Sequence, residues 1–471
     1  MNSKLVIIGN GFDLACDLES GFGSFFSYMN NRIDLLNKKE LEGQGRHSKY
    51  YDMIKTIDLY ATSTETTQLA NGGYTTVERV DFNYNVRRAI ETVDNFFDNK
   101  PIKTEDDLNF WNLFFMLNER ECNKALGKGI KNWSDVEAVI KDFIFPYDYD
   151  ENSNEKKEKK SSCCFINMQD YFDSYNDWIK EYLRMADEGF GASRKSYDTR
   201  KANYSHLLGF IHATWIYKAR YALTNFNHEF IYEDEDQQYR ILNRELIRFE
   251  NQFNDYLIKV VNKNKSQYES TALRLMKEIT EDAKTYGWRL DLLSFNYTHP
   301  GSLNDYVDSY TNIHGSLLHD DYGRKGEIIF GVDGMNLDPD KVNPVSLQFT
   351  KTFRVAFNNK NSEANGVIQA SSPPEEIYFY GHSLADADYS YFQSIFDTFN
   401  LYASKLNLII CYGIPPTYKH NEELYETELL ESVSKLLRAY GKTLDNKDHG
   451  KNLFHKLILE GRIKLKKIDS I

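Results

Sequence analysis

Five cysteines are too few and too irregularly placed to organise this chain of 471 residues. Their odd number, the adjacent pair Cys163-Cys164 and the lack of any Cys-x-x-Cys spacing give neither a disulfide framework nor a zinc site. No metal is expected. Long hydrophobic runs are missing too: a stretch such as Leu408-Ile409-Ile410-Cys411 falls far short of the roughly 18 residues of a membrane span. Residues 1–9 lack the basic flank and cleavage site of a signal peptide, so the expectation is a cytoplasmic protein with no membrane partner. Positive charge is scarce. A net charge of −13 argues against a broad nucleic-acid footprint, because neutralising phosphates takes clustered Lys and Arg. A local basic groove stays open, and no internal repeat divides the chain.

What is present is a large core: 41% of residues are hydrophobic, with 33 Tyr and 30 Phe, most of them packing residues. The chain opens on Leu5-Val6-Ile7-Ile8-Gly9-Asn10-Gly11-Phe12-Asp13. Four apolar residues suit a buried parallel strand, and Gly9 and Gly11 permit a sharp turn at its end. If a helix follows, its N-terminus faces an anionic ligand, as in dinucleotide-binding folds; the third glycine of the usual fingerprint is missing, so a plain strand-to-helix turn is an equal reading.

From Asp81 to Gly287 the texture is helical. Trp133, Val136, Ile140 and Phe143 share one face of a segment whose Asp135 and Glu137 lie off it. Stretches 165–186, 241–261 and 270–286 read as long amphipathic helices, the second with Leu242, Leu246, Phe249, Phe253 and Leu257 in register. Residues 151–162 hold no apolar side chain and predict a solvated loop; Gly, Ser, Thr and Asn crowd residues 62–76 and predict an irregular one.

The texture changes at Trp288. Short strand candidates follow at 290–295, 311–314, 327–330, 376–380 and 406–411, with helices at 387–402 and 422–440, the last ended by Gly441. This alternation predicts an α/β fold with a parallel sheet. The N-terminal strand joins it, so that residues 1–20 and 288–471 form a discontinuous nucleotide-binding domain and 21–287 a large, mostly helical insertion lobe.

Ligands of such sheets bind beyond the carboxyl ends of the strands. The residues there are Gly9, Asn10, Gly11 and Asp13; Asn296, Tyr297 and Thr298; His314, Gly315 and Ser316; and Gly381, His382, Ser383 and Leu384, with Asp386 and Asp388 just beyond. Each has a plainer role available: Asn296 as a turn former, His314 as a satisfied core histidine, Asp386 or Asp388 as a helix cap. It is their joint occurrence at strand ends that points to a site.

In order, Gly-Asn-Gly-Phe-Asp, Trp-Ser-Asp-Val-Glu, Ser-Phe-Asn-Tyr-Thr, Asn-Ile-His-Gly-Ser, Ile-Phe-Gly-Val-Asp and Gly-His-Ser-Leu-Ala-Asp-Ala-Asp resemble the bacteriophage abortive infection protein AbiH family over most of the chain. More remotely, the Gly-x-Gly, Asn-Tyr, His-Gly and Gly-x-Ser-Leu elements are similar to sirtuin-like NAD-binding domains. That resemblance implies a Rossmann-like (sirtuin-like) sheet whose Gly9 and Gly11 loop holds phosphates, whose Asn296 and His314 line the nicotinamide ribose, and whose Gly381 and Ser383 contact the adenosine half. NAD would be substrate or ligand. The chain departs from the pattern at Thr298, where sirtuin-like domains commonly carry an acid, and it lacks the four zinc cysteines of deacetylases.

The expected function is an NAD-cleaving phage-defence effector with Asn296 and His314 as the catalytic pair: Asn296 holds a water or ribose hydroxyl and His314, with a near-neutral pKa, accepts a proton. Its partner would be a nucleotide, with a phage-derived or host protein trigger and homo-oligomerisation both open. Two rivals stand beside it: a nucleotide-binding sensor without turnover, and a nuclease using Asp13, Asp386, Asp388 or Glu137 around a metal. Trp133 is expected to pack at the pocket rim, with Asp135 or Glu137 turned toward it.

Overall fold

The computed structural model describes residues 2–36, 235–317, 328–334, 342–358 and 373–468, with shorter stretches within 62–81, 110–115, 130–149, 156–158 and 196–197. The main sheet has six strands: β1 (Ser3–Ile8), β2 (Arg289–Ser294), β3 (Ser309–Asn312), β4 (Glu376–Tyr380), β5 (Asn407–Tyr412) and β6 (Ile463–Lys467). All its pairings are parallel, in the order β6-β5-β4-β1-β2-β3. The chain winds outward from β1 in both directions, the arrangement of a Rossmann-like sheet, and the winding reverses between β1 and β4.

Both faces of the sheet are covered, which is why β1 reads as an unbroken buried run. On one face Leu5 and Ile7 join Ile377 and Phe379, packed against Phe392 and Phe396 of α7 (Tyr389–Thr398) and Leu436 and Leu437 of α8 (Glu422–Gly441). On the other, Val6 and Ile8 meet Leu275, Met276 and Ile279 of α5 (Lys265–Thr280). The remaining long helices are α2 (Phe22–Leu36), α3 (Trp133–Ile144) and α4 (Glu235–Lys263), after the short α1 (Asn10–Ala15); α6 spans Lys351–Asn358. Their contact is aromatic: Trp133 stacks on Phe330 at 4.9 Å, Phe25 meets Phe249 at 5.6 Å and Phe253 at 5.0 Å, and Trp133 donates its indole N–H to Ser20 O at 3.1 Å.

Five local expectations change. Thr62–Gln68 pairs antiparallel with Tyr74–Asp81, because β-branched threonines suit a strand and Gly72, at φ +81°, makes the turn. The run 327–330 forms no strand of the main sheet; Ile328 makes an isolated bridge to Gly315, and Phe330 turns into the aromatic cluster. Gly441 is the last residue of α8 rather than a stop beyond it, and it lets the helix touch α9 (Lys447–Lys451), where a Cβ would come within 2.2 Å of Gly450 O. Strand β6 has no counterpart among the sequence candidates. The helix expected at 165–186 and most of the loop at 151–162 lie outside the described residues, but within that loop Lys156–Glu158 is a short strand paired antiparallel with Tyr147–Tyr149. Among the described residues no helix is long and apolar enough to cross a membrane.

Candidate active site

A cleft of about 250 Å³ opens beyond the ends of β1 and β4, where the winding reverses and ligands of such sheets bind. One wall is a seam between two turns. The Gly9 N–H donates to Tyr380 O at 3.0 Å, Gly11 N–H to Gly381 O at 2.8 Å, and Phe12 N–H to Gly9 O at 2.8 Å. A Cβ on Gly9 would lie 2.7 Å from His382 Cα and one on Gly11 2.6 Å from Gly381 Cα, backbone atoms that cannot swing away. Gly381 itself has φ +68°. The glycines therefore serve contact of backbone with backbone. Three amides of the loop around Gly9 and Gly11 are thus bonded within the protein.

The other wall follows β2 and β3. Asn312 donates its side-chain amide to Asn296 O at 2.8 Å and Thr298 O at 2.9 Å, and the Asn296 N–H donates to Ser294 Oγ at 3.1 Å, so the turn is fixed from behind. Asn296 is only 4% exposed, and neither Nδ2 nor Oδ1 makes a well-formed hydrogen bond among the described residues, although the side chain lies near enough to the Asp13 carboxylate to help hold it ionised. Leaving such an amide unsatisfied costs roughly 1–3 kcal/mol per group, which marks a place where a sugar hydroxyl or water fits. Beneath it lies Asp13, whose carboxylate accepts from Tyr268 OH at 2.8 Å and Thr298 Oγ1 at 2.7 Å. Burial pushes its pKa up to about 6, against the pull of these hydrogen bonds. Thr298 thus holds an acid rather than being one.

Where the walls meet, a buried ion cluster forms the floor. Lys351 Nζ donates to Glu137 Oε2 at 2.9 Å, Asp388 Oδ1 at 2.6 Å and Ala387 O at 3.2 Å. Burial alone would push the ammonium down; Asp388 and Glu137 outweigh it and hold it charged. Burial lifts Glu137 to about 8, whereas at Asp388 it is overcome by Lys351 and then by the hydrogen bond from His382, which hold that carboxyl well below its usual range. His382 accepts from the Leu384 N–H at Nδ1, 2.9 Å away, which puts the ring proton on Nε2, 3.3 Å from Asp388 Oδ2. His314 presents Nε2 3.4 Å from Asp388 Oδ1 without forming a hydrogen bond. Burial and then the charge of Lys351 lower its pKa to about 3, so the imidazole expected near neutrality is a neutral, weak base.

Of the residues anticipated from sequence, Gly9, Asn10, Asp13, Asn296, His314, Gly381, His382 and Ser383 line the cleft together. Gly11, Gly315, Ser316 and Asp386 do not line it: Gly11 lies in the seam, Gly315 bridges Ile328, and Asp386 points outward to Lys435 at 3.0 Å. Asp388, two positions on, faces inward instead. Asp135 closes a capping box with Asn132 at the start of α3, and Glu137 reaches the cleft. Trp133 lines it as well. Lys351 was missed; nothing in Phe349-Thr350-Lys351 distinguishes it from a surface lysine. Among the described residues no group of three or more His, Cys, Asp or Glu is arranged to hold a metal, and the carboxylates of Glu137 and Asp388 are held by Lys351.

The family model described as bacteriophage abortive infection AbiH matches residues 5–410. The chain belongs to the AbiH family. Membership places it among abortive-infection, that is phage-defence, proteins. The matched span includes every cleft-lining residue named above, from Gly9 to Asp388. No curated protein and no solved structure matches the chain.

Proposed function

We propose that this AbiH-family protein acts in phage defence by hydrolysing NAD to nicotinamide and ADP-ribose. The observation that carries this reading is Asn296, a buried side chain beside the Asp13 carboxylate whose polar atoms make no well-formed hydrogen bond, at the strand end where ligands of Rossmann-like sheets sit. Cleavage breaks the bond between ribose C1′ and the pyridinium nitrogen. The electron pair leaves with nicotinamide as a neutral ring, water adds its oxygen to C1′, and its proton passes to solvent. No acid is needed for departure.

Positive charge builds on the sugar instead, and a site for it needs orientation, exclusion of water and a negative field. Asn296 orients a ribose hydroxyl or the attacking water. Asp13, ionised above about pH 6, supplies the field from below. His314 contributes as an uncharged ring that does not repel the cation, and its weak basicity matters little if water is captured late.

That same weak basicity favours a second reading, nucleotide binding without turnover. Incubating the purified protein with NAD, with and without phage lysate, and measuring nicotinamide separates the two. Release that Asn296→Ala abolishes supports hydrolysis; tight NAD binding with no release under any trigger means a sensor.

A further inference from the structure

The cleft's charges and its amides both bear on which part of a nucleotide it recognises. Among the described residues its lining holds two ionised carboxylates, Asp13 and Asp388, together with Glu137, which burial keeps largely protonated at neutral pH, against one ammonium, Lys351. That ammonium is 1% exposed and already donates to two carboxylates and a carbonyl, so it offers nothing to an anion. The amides of Gly9, Gly11 and Phe12 are bonded internally. On the wall after β2 and β3 a ligand meets the Asn296 amide and a neutral His314, and beneath them the buried carboxylate of Asp13, which acts through its field rather than by contact. A diphosphate carries negative charge and would meet more of it, whereas a pyridinium ring carries the opposite sign.

We infer that the cleft selects a positively charged N-glycoside of the pyridinium riboside class and makes no use of the diphosphate. Resting on the NAD-hydrolysis reading, this narrows it: recognition lies in the cationic ring and its ribose, and the adenosine half trails outside. Asp13 is the group that reads the charge. Because Thr298 and Tyr268 hold its carboxylate in place, Asp13→Asn keeps the shape and removes the sign.

The test compares nicotinamide release by the full-length protein from NAD, nicotinamide mononucleotide and nicotinamide riboside, with calorimetric binding of oxidised and reduced dinucleotide alongside. We expect kcat/KM for the three substrates to agree within about tenfold, oxidised dinucleotide to bind at least about tenfold more tightly than reduced, and Asp13→Asn, with its folding checked by melting temperature, to erase that preference. Cleavage of NAD with a loss of a thousandfold or more on the two smaller substrates overturns the inference and leaves the hydrolysis reading standing. Equal binding of oxidised and reduced dinucleotide by the wild type also overturns it. If none of the three substrates is cleaved and neither dinucleotide binds, the hydrolysis reading falls and takes the inference with it.

Discussion

The two walls of the cleft are made of similar residue types and do opposite things. In the wall after β1 and β4, the polar backbone groups around Gly9, Gly11 and Gly381 bond one another across a gap too narrow for a Cβ. The wall after β2 and β3 has its backbone fixed just as firmly, by Asn312, but it leaves the Asn296 amide and His314 Nε2 buried without a well-formed hydrogen bond. Glycines in a turn at a strand end indicate where a site is. Which side of it recognises a ligand is decided by which polar atoms remain unpaired, since an orphaned buried amide is destabilising unless something arrives to meet it.

The sharpest way to break the contrast is Asn296→Ala. Nicotinamide release should fall roughly 10²–10⁴-fold, the range for an oriented catalytic group, while the melting temperature moves little because the side chain makes no well-formed protein hydrogen bond to lose. A well-folded variant as fast as wild type would make Asn296 a bystander. Next in size is the floor that joins the walls. Lys351→Met leaves Glu137 and Asp388 buried without their cation, and denaturant unfolding should register a loss of about 3–5 kcal/mol.

Asp13 gives the third effect, and its sign is set by its raised pKa. The folded protein holds this proton up to about pH 6, whereas an ordinary Asp releases it near 3.8. Between those values the native state binds more protons than the unfolded chain, so stability falls as pH rises through that window, by about 3 kcal/mol in all, and is flat above it. Subtracting the pH profile of Asp13→Asn from that of wild type isolates this loss; a difference flat from pH 4 to 6 would refute it. The smallest effect is expected at the seam. Gly11→Ala pushes a methyl against Gly381 and should destabilise by roughly 1–3 kcal/mol, with activity lost in proportion to the unfolded fraction rather than through loss of phosphate contacts.

Much of the sheet was legible because strands buried on both faces must be apolar throughout, as in Leu5–Ile8 and Leu408–Cys411. β6 was not, since Ile463-Lys464-Leu465-Lys466-Lys467 is an edge strand whose lysines look like surface. The run 327–330 has the right composition and the wrong destination: Phe330 is taken by Trp133, Phe249 and Phe253, contacts that no local pattern encodes. In the site, strand-end positions were readable from topology, whereas Lys351 gets its meaning from Glu137 and Asp388, far away in the chain. Spacing alone does not distinguish Asp386 from Asp388, because the single turn at Asp386–Asp388 sends the two carboxylates in different directions.

β1 precedes its two neighbours in the chain and sits inside the sheet, between β2 and β4. Its neighbours are encoded at Arg289–Ser294 and Glu376–Tyr380. At about 5–20 residues per second it waits roughly 15–60 s for its first partner and longer for its second, with its unsatisfied edges unpaired. The cleft therefore cannot exist on a nascent chain or on an early truncation product. For a phage-defence protein this timing is a built-in delay: synthesis must run past β4 and on to Asp388 before the cleft can form.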